Sequence, residues 1–132
     1  MRGLLIAVML LFAGAAHAQG NPMLGVWRSQ YNDPVGGPQL VEVVIQGNGT
    51  YSQQFRGATT LNTFVGRWGF LGGSLMRFEV DDWAPKEWCG PRGCTDILKP
   101  PGSIVEIQFN GPNQFAARDT RTGQVLVYSR AQ

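Results

Sequence analysis

The sequence predicts an all-β fold, an eight-stranded antiparallel meander barrel, and three observations carry that expectation. Short runs of Val, Ile, Phe, Tyr and Trp keep a period of two. Turn residues, led by 18 glycines, separate the runs. No stretch sustains the apolar spacing of a helix. Short alternating runs punctuated by turn signals are the signature of a sandwich or barrel.

The N-terminus reads as a signal peptide over residues 1–18. Met1 and Arg2 give a positive start, Leu4 to Phe12 is a short apolar run, and Ala16-His17-Ala18 is a small-x-small cleavage site. That order is the secretory pattern. The apolar run is shorter than the roughly 20 residues a bilayer span needs, so no stable membrane insertion is expected. Residues 19–132 then form one domain.

The first strand runs from Gly25 to Tyr31, after which Asp33-Pro34 and Gly36-Gly37-Pro38 break the chain. The second is Gln39 to Gln46, where Val41, Val43 and Ile45 share a face. Gly47-Asn48-Gly49 is a tight hairpin signal. The third, Thr50 to Arg56, puts Tyr51, Gln53 and Phe55 in phase. The fourth, Asn62 to Leu71, does the same for Phe64, Gly66, Trp68 and Phe70. Gly72-Gly73 turns into the fifth, Ser74 to Asp81, with Met76, Phe78 and Val80 aligned. A long irregular segment, Asp82 to Gly102, precedes the sixth strand, Ser103 to Asn110, with Val105, Ile107 and Phe109 in phase. Gln114 to Asp119 and Gln124 to Arg130 complete the set. Short turns make neighbours antiparallel, and eight meandering strands close into a barrel that hides its edges. Trp27, Tyr51, Phe55, Phe64, Trp68 and Phe78 are the large aromatics expected inside. They either line a pocket for a small apolar ligand or fill the core outright.

Composition excludes several functions. Without Arg2, ten basic and nine acidic side chains remain, scattered along the chain. Phosphate binding needs clustered cations, so no nucleic-acid partner is expected. The one histidine, His17, lies in the signal segment. The mature chain therefore lacks the group that Ser-His-Asp and Cys-His catalysis require. Neither a catalytic centre nor a cofactor or metal is expected. Asp81, Asp82, Glu87 and Asp96 show no calcium-loop spacing and read as a solvated acidic rim. Asn48-Gly49-Thr50 matches a glycosylation sequon, but as a hairpin turn it needs no such role.

Cys89 and Cys94 enclose Gly90-Pro91-Arg92-Gly93. In an exported chain the default is a disulfide. A redox pair at a helix start has two intervening residues; four, with two glycines and a proline, describe a pinned loop. So short a loop stabilises by only ~2 kcal/mol. Trp83, Trp88, Pro91 and Arg92 share this segment, and a long aperiodic loop is uncommon unless functional. Trp and Arg on a pinned loop suit recognition, though two tryptophans also suit a lid over the barrel.

Leu24-Gly25-Val26-Trp27 resembles the Gly-x-Trp start of lipocalins and related calycin barrels. Gly49-Thr50-Tyr51, Gly66-Arg67-Trp68 and Leu75-Met76-Arg77-Phe78 are similar to segments of small bacterial lipocalin-like exported proteins. In lipocalins the Trp packs across the closed end beneath a basic residue of the last strand. The resemblance thus implies a closing pair of Trp27 and Arg130. Together these readings predict a periplasmic or secreted, non-catalytic binding protein for a small apolar or amphipathic ligand. The alternative is a protein-binding inhibitor of a hydrolase acting through residues 82–96.

Overall fold

A computed structural model describes residues 21–131; the signal segment lies outside them. The strands are β1 (Gly25–Asp33), β2 (Gly37–Ile45), β3 (Thr50–Arg56), β4 (Leu61–Gly72) and β5 (Leu75–Ala84). They continue as β6 (Glu87–Gly90), β7 (Gly93–Asp96), β8 (Ser103–Phe109), β9 (Gln114–Asp119) and β10 (Val125–Arg130). Eight of them form a closed antiparallel barrel in the order β1-β10-β9-β8-β5-β4-β3-β2, while β6 and β7 make a separate two-stranded sheet.

The barrel has one closed and one open end. Trp27, at the closed end, is completely buried. Its indole Nε1 donates to the Met23 carbonyl at 2.9 Å, and its ring meets Phe115 edge-on at 4.6 Å between centroids. The Arg130 guanidinium lies 4.2 Å over the indole. It donates to the carbonyls of Leu24 at 2.8 Å, Pro22 at 3.0 Å and Pro112 at 3.2 Å. One cation thus ties the chain's entry, the β8–β9 turn and the last strand together. Met23 and Met76 are fully buried with Trp27, and Val41, paired with Ser29 and Phe55 further along the barrel, is fully buried too.

Gly66 shows why one strand position tolerates no side chain. A Cβ there would fall 1.7 Å from the Glu79 carbonyl oxygen. The register between β4 and β5 shifts at Val65/Gly66, so the backbones close in where a bulge re-aims β5.

Three findings depart from the sequence expectation. Phe70 and Phe109 are in phase with the core but 48% and 38% exposed. Both sit at strand ends beyond the Trp27 plug, where the described residues leave them partly open. The segment after Asp82 is not irregular throughout: β5 runs on to Ala84, and β6 and β7 pair as a hairpin. Finally, closure between β1 and β10 rests on two register pairs, Trp27↔Arg130 and Arg28↔Ser129. Towards the open end these strands part, and the outward-facing Val125 and Val127 are half exposed beside the gap.

Candidate functional site: the open mouth and its hairpin

Inward positions of β2, β3, β5, β8, β9 and β10 enclose a mid-barrel cavity of about 70 Å³ above the Trp27 plug. Its walls are mostly apolar, with Val43, Ile45, Phe78, Ile107 and Phe115 among them. Tyr51, Gln53, Ser103 and Tyr128 add neutral polar groups. Toward the open end lies a mouth of about 320 Å³, reached by Tyr31, Phe55, Asp119, Gln124 and Leu126. Tyr31 meets Phe55 edge-on at 6.3 Å, and Phe55 contacts Phe64 at 5.7 Å. Cavity and mouth share Gln53, Ser103, Val105, Ala117 and Tyr128, so the two adjoin across a common ring of side chains.

Burial pushes the Tyr128 hydroxyl up to about 12, against a smaller opposing effect from its hydrogen bond with Gln53. Burial, helped by the Asp81 carboxylate, pushes Tyr51 up to about 12 as well. Both phenols are therefore neutral at physiological pH. They act as hydrogen-bonding groups rather than bases.

The expected interior aromatics divide by depth. Trp27 belongs to the plug, Tyr51 and Phe78 line the cavity, and Phe55 lines the mouth. Phe64 stands opposite Trp83 near the open end. Trp68 lies at the closed end, only partly buried, its Nε1 donating to the Gln46 carbonyl at 2.9 Å.

The hairpin rises from the open end on a braced base. Trp83 is partly buried and donates from Nε1 to the Ile97 carbonyl at 3.0 Å. Lys86 lies 3.4 Å over its ring and pairs with Asp82. Ile97 N–H donates to the Lys86 carbonyl at 2.7 Å. Cys89 and Cys94, directly opposite in the register, are disulfide-bonded. Trp88 is 65% exposed, yet its place is set. A Cβ on Gly90 would lie 2.8 Å from the indole, so the ring rests on bare glycine backbone. With Pro91, Arg92 and Thr95 it borders a shallow hollow on the hairpin. Trp88, Pro91 and Arg92 thus stand together, whereas Trp83 serves the base.

The acidic residues do not converge. Hydrogen bonding from Arg67 holds the Asp81 carboxyl below its ordinary range, and hydrogen bonding from Lys86 does the same for Asp82. Glu87 and Asp96 face each other across the hairpin.

No protein-family model matches the chain, and no curated protein matches it either. The disulfide points to an oxidising compartment rather than the cytoplasm.

The neck of the recess was missed as a site in the sequence. Gln53, Ser103 and Tyr128 occupy core-phase positions on three strands, and a polar residue in a core phase is the signal that marks it.

Proposed function

We propose that this chain is an exported, non-catalytic barrel that holds a small apolar or amphipathic molecule in its mouth. The observation that carries this reading is an apolar cavity that meets a wider mouth at a shared ring of residues. Binding recesses are concave, largely apolar and fitted with a few polar groups that fix orientation. The open end has that composition, and the sealed end does not. The Trp27–Arg130 arrangement also supports kinship with lipocalin-like barrels, as does the Gly-x-Trp start. The Ala-x-Ala site and the disulfide together support a periplasmic or secreted location. Support for a non-catalytic role comes from the lining itself. The recess brings together neutral phenols, an amide and Ser103, and its one carboxylate, Asp119, accepts the backbone amides of Arg121 and Thr122.

The test is retention of a host molecule. Protein purified from its own envelope compartment is extracted and analysed by mass spectrometry beside an Ala117→Phe variant. Ala117 lines both cavity and mouth, so the larger ring plugs the neck. A compound carried by wild type and lost from the plugged variant is expected. Equal retention by both sinks the reading.

A second reading has its own observation, the exposed Trp88 on a disulfide-pinned hairpin. Aromatic and Arg anchors dominate protein interfaces, so a protein partner engaging Trp88 and Arg92 is the rival. Pull-down with wild type but not with Trp88→Ala supports it.

A further inference from the structure

The recess narrows to a neck, and its chemistry is specific. Three of the five residues shared by cavity and mouth are Gln53 on β3, Ser103 on β8 and Tyr128 on β10. They approach the neck from different sides of the barrel, and each is uncharged. Below them the cavity is about 70 Å³. An engineered apolar cavity of about 150 Å³ just holds benzene, so this one takes a chain end of a few heavy atoms. No charged side chain lines it. Above the neck, Asp119 is the one charged residue of the mouth lining. Its Oδ1 already accepts the amides of Arg121 at 2.8 Å and Thr122 at 3.1 Å.

Resting on the reading of the mouth as a ligand site, we propose that its ligand is a neutral amphiphile: a compact apolar end followed, a few atoms on, by an uncharged hydrogen-bonding group. Gln53, Ser103 and Tyr128 read that group and exclude carboxylates and ammonium ions. The fitting class is a ketone, ester or secondary alcohol.

The physical case has two sides. A hydroxyl, an amide and a phenol offer both donors and acceptors, so a carbonyl or hydroxyl at the neck finds partners in any orientation. A purely apolar chain there would leave Ser103, and the remaining donors and acceptors of the hydrogen-bonded Gln53–Tyr128 pair, without the partner that water had supplied, which costs affinity. An ion drawn below the neck would surrender its hydration away from any counter-charge, since the one carboxylate, Asp119, lines the mouth and not the cavity, a larger cost. The Tyr128 phenol is protonated at neutral pH, and burial raises its value further, so it offers a proton to a ligand carbonyl and no charge to a cation.

The test uses mature protein and two probes of equal length, 4-nonanone and 4-aminononane, the latter an ammonium ion at pH 7. Affinities come from calorimetry, and amide chemical-shift changes locate binding. The ketone is expected to bind at least about tenfold tighter. Tyr128→Phe should weaken the ketone about threefold and leave the amine unchanged. Ser103→Ala gives the same comparison if Tyr128→Phe does not fold. Equal or tighter binding of the amine at the neck overturns the proposal, as does ketone affinity untouched by both variants. Hexane in saturated buffer separates the two levels. If hexane moves neck resonances and neither probe does, the polar rule falls while the ligand site stands. If nothing moves them, both fall.

Discussion

Replacing Trp27 tests the plug that separates the closed end from the recess. The side chain is fully buried, touches Phe115 and Phe109 edge-on, and carries the Arg130 guanidinium on its face. Trp27→Ala removes all of this. Deleting a buried Trp costs about 3–5 kcal/mol. Loss of the cation–π contact adds about 0.5–2 kcal/mol, and the Met23 carbonyl loses its donor. At roughly 4 °C per kcal/mol for a domain of this size, the combined loss should lower the melting temperature by roughly 14–28 °C. Trp27→Phe keeps most of the ring volume but cannot donate to Met23. It should cost about 1–2 kcal/mol, from one hydrogen bond and a modest void. Differential scanning calorimetry and denaturant titration of both variants give the comparison. The ordering wild type, Phe, Ala with those gaps is the expected result. An Ala variant melting within about 3 °C of wild type would refute the burial argument.

Other consequences are open to measurement. The Tyr128 phenol has a folded value near 12 against an ordinary 10, so its contribution to stability is complete below pH 10 and is lost as pH rises from 10 to 12. That loss is on the order of 2–3 kcal/mol, and Tyr128→Phe should remove its share of the alkaline fall while Tyr51 keeps the other; an unchanged profile counts against a buried phenol. Cys89→Ala with Cys94→Ala removes a crosslink confined to the small hairpin. Its cost should not exceed about 2 kcal/mol, and barrel unfolding at room temperature would contradict this. The Ala131 amide donates to Val26 and the Arg130 amide to Asn113, so strand alternation turns the Val125 and Val127 amides toward the unpaired seam. Hydrogen exchange there should be faster than at Leu126 and Tyr128, and equal protection would mean a closed seam. Trp88→Ala and Arg92→Ala should fold normally, since both side chains are exposed; a large drop in melting temperature in either variant would give the hairpin a structural role instead.

The barrel was legible because its strands are half buried, so one face had to be apolar and period two recorded it. Val41, Val43 and Ile45 show this most cleanly. The hairpin left no such record. Its strands are four residues each and exposed on nearly every position, so no face selects for apolar residues and only the cysteine spacing marked it. Phe70 and Phe109 carried the right phase at the wrong depth, because alternation tells which face a residue occupies and not how far along the barrel the core extends. The seam between β1 and β10 was invisible for a related reason: the pattern within a strand says nothing of the length over which it pairs with a neighbour. Gln53 was visible at an inward phase, but its convergence with Ser103 and Tyr128 depends on closure bringing β3, β8 and β10 around one neck.

The central claim, that the open mouth is the binding site, is tested most directly by amide chemical-shift mapping of mature protein titrated with 4-nonanone. Saturable shifts centred on Gln53, Ser103, Val105, Ala117 and Tyr128, sparing Trp88, Arg92 and Thr95, are the predicted result. Shifts confined to the hairpin, or none at saturating probe, would contradict it.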